Sequence, residues 1–230
     1  MGRIWIDYKF SWQGGRAAFA LELDDETISL CNKELAEPPF WTRLDFYQCP
    51  NCPLQTDRVT YCPAAIALIP VINCFEGVVS HDEMHLEVIT EERRVLQKTS
   101  AQRAIGSMMG LVFATSGCPH TKYFRPMARH HLPLANSDET IMRAVSMYLL
   151  AQYFRANIGE TPDLKLEGLG KIYKEIQVVN MAMAERLRAA VGADSSINAV
   201  ILLDMYAKAM PYVIEDALEE IRYLFRAYLE

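Results

Sequence analysis

Apolar and polar residues alternate along the first part of the chain. Apolar side chains occupy every second position from Ile4 to Phe10, and Gly14–Gly15 separates them from a second apolar-rich stretch, residues 18–23. Alternation of this kind is typical of half-buried strands, and a pair of glycines is typical of a tight turn. The pattern therefore predicts a β-hairpin over residues 3–30.

A second pair of strands is predicted near the middle of the chain. Residues 84–89 alternate in the same way, and residues 94–98 follow them across the acidic turn Glu91–Glu92. Because short loops of two to five residues usually join antiparallel neighbours, we expect these two strands to pair with each other.

The apolar spacing between and after these strands is helical. Pro63 suits the first position of a helix with Cys62 at its cap, and the apolar run behind it predicts a buried helix bent at Pro70. Ser100 caps a second predicted helix, which Gly117 ends. Apolar residues surround the axis of this second helix, so we expect it to be buried centrally.

The sequence is helical in character from Asn136 to the C terminus. Asn136 and Glu139 fit a capping box, and apolar residues then recur at helical spacing along a long helix from Leu169 to Leu187. Asn180 falls on the apolar side of this long helix. If it is buried, its amide needs hydrogen-bond partners.

These patterns together predict an α+β protein with a small antiparallel N-terminal sheet, packed helices and an all-α C-terminal half. We place a soft boundary near Pro133, between an α+β part (residues 1–135) and a helical part (residues 136–230), and expect the two parts to pack as one unit. Within the helical part, Gly192 breaks the long helix and Pro211 opens the last one.

The composition is that of an ordinary globular protein. Of the 230 residues, 51% are hydrophobic and 23% are charged, which excludes extended disorder. The formal net charge of −6 is opposite in sign to the basic footprint of a nucleic-acid binder. The N-terminal residues lack the order of a signal peptide, and the longest apolar run, residues 64–72, is too short to span a bilayer. We therefore expect a soluble cytoplasmic protein without nucleic-acid or membrane partners.

Four of the six cysteines, Cys49, Cys52, Cys62 and Cys118, are followed directly by proline. Their spacing is C-x2-C-x9-C with a distant fourth thiol, and His120 follows that thiol by two residues. Clustered cysteines in a reducing cytosol are more often metal ligands or redox groups than disulfides, and a C-x2-C loop can place two sulfurs on one metal. The spacing predicts a metal site with these four thiolates, in which His120 replaces one thiolate or supports the ligands.

The sequence leaves the identity of the metal open. Proline after a ligand cysteine recurs in ferredoxin-type motifs, which favours a 4Fe–4S cluster, whereas a Cys3His zinc site with His120 also fits. Two further interpretations remain, namely inert reduced thiols and C-x-x-C redox chemistry at Cys49 and Cys52. The redox interpretation has less support, because no helical periodicity follows Pro53.

A cationic segment follows the fourth cysteine. If they lie on a helix, Arg125 and Arg129 are one turn apart, so that their guanidinium groups can grip one carboxylate or phosphate, with His130 and His131 beside them. The simpler alternative, which we favour, is that these cations neutralise the thiolate site or pair with acidic residues. Arg125 and Arg129 are nevertheless the candidate cofactor-binding residues.

Several strings in the sequence are specific: PFWT (Pro39–Thr42), CPNCPL (Cys49–Leu54), CPAA (Cys62–Ala65), ATSGCPH (Ala114–His120) and RPMARHHLP (Arg125–Pro133). Together they resemble an uncharacterised family of bacterial proteins classed as a domain of unknown function, over nearly the full length of the chain. The resemblance implies a stand-alone bacterial protein in which these segments belong together. It implies no activity, ligand or partner.

The chemistry of the cysteines leads to our functional hypothesis. We expect a non-catalytic metal-binding protein, with iron–sulfur or zinc, that has a regulatory, redox-sensing or interaction role toward an unknown protein partner or a small anionic ligand. The alternative is a small-molecule enzyme whose metal or cluster lies beside an anion pocket formed by Arg125, Arg129 and His120. A homodimer through the C-terminal helices is a further prediction.

Overall fold

Four antiparallel strands form a single N-terminal sheet, and helices cover one of its faces and continue into the C-terminal half. The α+β class predicted from the sequence is therefore confirmed. The strands are β1 (Arg3–Trp12), β2 (Gly15–Asp24), β3 (Glu83–Ile89) and β4 (Arg94–Ser100). The computed structural model describes residues 2–31, 37–190, 196–201, 203–204, 207 and 218–230.

The sheet has the strand order β2-β1-β3-β4. β1 pairs with β2 across the predicted glycine turn, and β3 pairs with both β1 and β4. Ile6, Tyr8 and Phe10 are buried, whereas the residues between them are more exposed. Because successive side chains of a strand point to opposite faces, one face of the sheet covers the core and the other faces solvent.

Five helices are described before residue 191, with short 3-10 turns between some of them. α1 begins at Pro63 directly after Cys62, as predicted, and continues through Pro70. The helices are α1 (Pro63–Cys74), α2 (Ala101–Thr115), α3 (Arg125–Arg129), α4 (Ser137–Asn157) and α5 (Glu167–Ala190). The chain ends in a 3-10 turn, Arg222–Phe225, and one helical turn, Arg226–Leu229.

A local capping signal explains where α4 begins. The backbone N–H of Glu139 donates to the side chain of Asn136, and the backbone N–H of Asn136 donates to the side chain of Glu139, both at 2.8 Å. This is the predicted capping box, which satisfies two otherwise unpaired donors at the start of α4. Ser100 occupies the cap position of α2, although its side chain makes no capping hydrogen bond.

Most residues of α2 are buried, as its all-round apolar sequence predicts. The main core packs this helix against the sheet and α1, and it also includes Met183 and Leu187 of α5. A smaller apolar cluster, which includes Ile141 of α4 and Leu169 of α5, joins those two helices. Side chains from both sides of Pro133 therefore share the main core.

Two predicted features of the C-terminal half, the break at Gly192 and the helix start at Pro211, lie outside the described residues. Residues 196–201 are helical. None of the described helices combines the length and the apolar character needed to cross a bilayer.

Candidate metal centre

The first two predicted ligands lie in one tight turn. The backbone N–H of Cys52 donates to the carbonyl of Cys49 at 2.9 Å. The side-chain amide of Gln48 donates to the carbonyl of Leu54 at 2.9 Å and closes the loop around that turn. Tyr47 has a φ of 48°, in the left-handed region, which reverses the chain just before the loop. Both cysteines are half-buried free thiols.

Cys62 is buried at the N-terminal cap of α1. Its backbone N–H donates to the carbonyl of Thr42 at 2.8 Å, which fixes the start of the helix against a preceding 3-10 turn, Phe40–Thr42. Burial raises the pKa of the Cys62 thiol, while the N–H groups of Ala65 and Ala64 in the first turn of α1 oppose that effect. The free N–H groups of a helix start can therefore stabilise a thiolate here.

Cys118 comes beside Cys62 because of the turn that ends α2. Gly117 has a φ of 90°, a conformation that favours glycine, and a Cβ atom at this position would lie 3.8 Å from the Cβ of Pro63. The segment that carries Cys118 therefore contacts the residue that follows Cys62. The backbone N–H of Cys118 donates to the hydroxyl of Ser116 at 3.3 Å.

His120 connects the fourth thiol to the loop of the first two. Its Nε2 shares a hydrogen bond of 2.8 Å with the backbone carbonyl of Asn51, which lies between Cys49 and Cys52. The other ring nitrogen of His120 is 3.8 Å from a carboxylate oxygen of Glu175, to which the Asn51 amide also donates at 2.6 Å. Both ring nitrogens of His120 therefore face oxygen atoms, and the predicted role of His120 as a ligand stays a prediction.

The four predicted cysteines lie in one region of the molecule, although they do not form a ready metal site. Burial, followed by the charges of Cys62, Cys118 and Cys52, raises the pKa of Cys49 to about 12. Charges interact in this way only when they are close in space. Across the described parts of the chain, however, no group of three or more His, Cys, Asp or Glu side chains is arranged to hold a metal ion. The ligand set therefore stays a prediction.

The sequence analysis missed Arg186, a buried cation on α5. Arg186 is only 2% exposed. Its Nη1 donates to the carbonyls of Trp41 and Arg43 at 2.7 Å each. Its Nη2 donates to the carbonyl of Leu44 at 3.5 Å, and its guanidinium lies 5.9 Å from the ring centre of Phe46. Arg186 thus holds the segment between the 3-10 turn and the cysteine loop.

The charges that act on Arg186 come from the thiols and from one carboxylate. Burial lowers the pKa of Arg186, and the charges of Cys62, Cys49, Cys52 and Asp45 oppose this effect. Among the described carboxylates, none forms an ion pair with this guanidinium. The sequence indicates that Arg186 lies on the apolar side of α5, because it follows the buried Val179 by seven residues and Met183 by three, but it does not indicate the partners.

A cavity of about 230 Å³ lies between α2, α3, α4 and α5. His131, at the end of the predicted cationic segment, forms part of its wall. The Tyr8 hydroxyl shares hydrogen bonds with Nε2 of His131 and with the hydroxyl of Ser107, the latter at 3.2 Å, and the N–H of Leu134 donates to Ser107 at 3.0 Å. Burial, together with the charge of Arg143, lowers the pKa of His131 to about 3, so this ring is neutral at physiological pH.

Arg125 and Arg129 begin and end α3, one helical turn apart. Arg129 is exposed, and Arg125 is half-buried with an Nε that has no hydrogen-bond partner in the described chain. Neither residue is among those that line the cavity. Their role as residues that bind a cofactor or a small anion therefore stays a prediction.

The comparisons with known proteins place the chain in a family. A family model described as a domain of unknown function, DUF6901, matches residues 6–226. No curated protein and no solved structure matches the chain. Because the family match spans nearly the whole chain, the protein belongs to the DUF6901 family, as its resemblance to an uncharacterised family had indicated.

Proposed function

We propose that this protein is a non-catalytic metal-binding protein of the bacterial cytoplasm. In this proposal Cys49, Cys52, Cys62 and Cys118 bind an iron–sulfur cluster, and the protein reports redox state or iron supply to a protein partner. The observation that carries the proposal is that Cys52, Cys62 and Cys118 all lie near Cys49, and that three of the four thiols also lie near the buried cation Arg186.

The charge of Arg186 supports an anionic site. A buried guanidinium is costly when few opposite charges lie near it. Arg186 donates to backbone carbonyls, and the charges that act on it are those of three thiols and of Asp45, with which it forms no ion pair. A zinc ion or an oxidised 4Fe–4S cluster with four thiolates carries a net charge of about −2. Loading such a site adds negative charge near Arg186 beyond that of Asp45.

The spacing of the thiols favours a cluster over a single ion. Zinc sites commonly use two closely spaced ligand pairs, whereas here only Cys49 and Cys52 form such a pair and Cys62 and Cys118 are far apart in the sequence. Proline after a ligand cysteine also recurs in ferredoxin-type motifs, and all four of these cysteines precede a proline.

The position of the site suits a sensor. Between Arg43 and Cys62 the chain contains no helix or strand, and its turns are held by Arg186 and by the bond between Asn51 and Glu175. A cluster at Cys49 and Cys52 would add a covalent connection from this segment to α1 and to the end of α2. Because the two loop cysteines are only half-buried, oxidants can reach them.

Metal analysis of protein purified without oxygen tests the proposal. We expect brown protein with about four iron and four sulfide per chain, bleached by air. Cys49→Ser should remove most of the iron and make the segment before α1 sensitive to protease. Cys74→Ser is the matched control, because Cys74 is an exposed free thiol on α1, and it should keep the iron content of the wild type.

The possible results separate three conclusions. About one zinc per chain, lost in Cys49→Ser, would overturn the cluster and keep the thiolate site. If protein from iron-supplemented and zinc-supplemented cells contains no metal, both the cluster and the thiolate metal site are overturned. Equal metal content in the Cys49→Ser and Cys74→Ser proteins would show that these thiols are not the ligands.

The alternative, a small-molecule enzyme with Arg125, Arg129 and His120 around an anion pocket, has less support. His120 is already engaged by the Asn51 carbonyl, and the two arginines are not part of the cavity wall. A homodimer through the C-terminal helices is better supported, because α4 exposes a row of large apolar side chains: Leu150, Tyr153 and Phe154.

A further inference from the structure

We propose that the cavity between α2, α3, α4 and α5 is a binding site for a small monocarboxylic acid with an apolar body. This inference goes beyond the metal-binding function and does not rest on it. It follows from the size of the cavity, from two buried polar groups that lack partners, and from the charge of its wall.

The size and the walls of the cavity define the body of the ligand. Its volume of about 230 Å³ is below the ~300–1,000 Å³ of pockets for drug-sized molecules, so the occupant is smaller than a typical cofactor. Most of the wall is apolar and much of it comes from the central helix α2. Apolar side chains of this wall include Leu111, Phe113, Phe124, Met127 and Leu134.

Two polar side chains of α5 point to a ligand with hydrogen-bonding atoms. Tyr173 and Asn180 both line the cavity, and they are only 6% and 2% exposed. They are seven residues apart, which places them two turns apart on the same face of the helix. The hydroxyl of Tyr173 and the amide of Asn180 make no hydrogen bond with any residue in the described part of the chain. Neither is among the described polar atoms that are fully buried without a partner, so both are accessible from the cavity. Polar groups of this kind normally have partners, which water or the hydrogen-bonding atoms of a bound ligand supply.

The charge of the wall selects an anionic group. Arg103 and Arg143 line the cavity, and no acidic residue is among the described residues that do so. The charge of Glu139, one turn before Arg143 on α4, acts on Arg143 from outside the wall. Nη2 of Arg143 donates to the carbonyls of Met127 and His130 at 2.8 and 2.9 Å, whereas its Nε and Nη1 have no partner in the described chain. A guanidinium that is held in place with free donors is suited to a carboxylate.

Gly110 provides a way to fill the cavity without disturbing the helices. It lies in the wall on α2, and a Cβ atom there would meet only a methyl group of Leu203 at 3.8 Å, an ordinary contact. A larger side chain at this position therefore extends into the cavity. Gly170 is a matched control on α5, because a Cβ atom there would have no neighbour within 4 Å and Gly170 does not line the cavity.

Calorimetric titration with octanoate, and with octan-1-ol as its neutral counterpart, tests the inference. We expect saturable binding of one octanoate per chain, with octan-1-ol at least about tenfold weaker because it lacks the charge that Arg143 recognises. Gly110→Leu should weaken octanoate binding by about tenfold or more. Gly170→Leu should leave the affinity unchanged. Circular dichroism and the melting temperature check that each variant is folded.

Three results would overturn the proposal. The absence of saturable octanoate binding would show that the cavity does not take such acids. Equal affinities for octanoate and octan-1-ol would show that the cavity does not recognise the carboxylate. An unchanged affinity in folded Gly110→Leu would place the ligand elsewhere. If Gly110→Leu does not fold, Gly110→Ala and Asn180→Leu replace it, since both change the cavity wall less. An unchanged octanoate affinity in both folded variants would likewise place the ligand elsewhere.

Discussion

The thiol site and the cavity share α5, yet they differ in how their polar groups are satisfied. At the thiol site, the buried guanidinium of Arg186 donates to three backbone carbonyls. At the cavity, the polar ends of Tyr173 and Asn180 find no partner in the described chain. A group that bonds with its own chain keeps its position with or without a ligand, whereas a group without a partner in the chain bonds with water or with a ligand in the cavity.

The two regions also differ in how the chain assembles them. The thiol site joins segments far apart in sequence, through bonds such as those of Arg186 with Trp41 and of Asn51 with Glu175. The cavity is enclosed largely by successive helices that pack through apolar side chains. We therefore expect changes at the thiol site to affect the stability of the fold, and changes at the polar wall of the cavity to affect mainly its ligand.

The largest effect is expected from Arg186→Met. This change removes the donors for the carbonyls of Trp41, Arg43 and Leu44 and leaves buried acceptors unsatisfied, so we expect a loss of about 3 kcal/mol in the free energy of unfolding, measured in urea. The metal content of the purified protein should fall as well. Both effects follow from one side chain that holds the cysteine loop and balances the charge of the site.

Arg186→Lys separates the two roles of Arg186. Lysine keeps the positive charge but cannot donate from a rigid fork, so stability should fall while metal content is largely retained. If Arg186→Met is as stable as the wild type and keeps its metal, the thiol site is not organised by this residue.

The next largest effect on the free energy of unfolding is expected at His131, which lines the cavity and forms a hydrogen bond with Tyr8. Its pKa is lowered to about 3 in the folded protein, mainly by burial, from an ordinary value of 6.5. The unfolded chain therefore binds more protons than the folded chain between these values. Stability should fall as the pH drops below 6.5, by up to about 1.4 kcal/mol per pH unit, and this contribution should be constant above 6.5.

Unfolding in urea at several values of pH between 6.5 and 5 measures that dependence. His131→Gln should show a flatter dependence than the wild type, because it removes the group that titrates. His130→Gln is the matched control, since His130 is the exposed neighbour. A dependence that is equally steep in the wild type and in His131→Gln would contradict the buried neutral state of His131.

The elements that the sequence predicted best are those whose signals are local. The capping box of Asn136 and Glu139 needs only residues three apart, and the hairpin needs alternation around Gly14. Arg186 could not be assigned from such signals. Its partners lie more than 140 residues away, at Trp41 and Arg43, and only the packing of α5 against the 3-10 turn brings them together.

The candidate sites show the same limit. The repeated Cys-Pro step identified four thiols that the fold brings into one region, but neither spacing nor composition gives the distances that decide between an ion and a cluster. For the anion site, the sequence favoured Arg125 and Arg129 because they are neighbours on one short helix. The wall of the cavity instead contains Arg143, which belongs to the next helix and to the site that we propose. The sequence also showed Asn180 as a polar residue on the apolar side of a helix. Its place in the cavity wall explains why a polar residue lies there.

The smallest effect on stability is expected from removing the hydroxyl groups of two buried tyrosines, one with and one without a partner in the described chain. Tyr8→Phe removes the hydroxyl that joins Ser107 to His131 and should cost about 1 kcal/mol or more in the free energy of unfolding in urea. Tyr173→Phe removes a hydroxyl without a described partner, so stability should be unchanged or slightly higher. Octanoate should bind less tightly to Tyr173→Phe. If this variant loses as much stability as Tyr8→Phe, the Tyr173 hydroxyl is satisfied within the chain, and the cavity would no longer differ from the thiol site in having polar groups without partners.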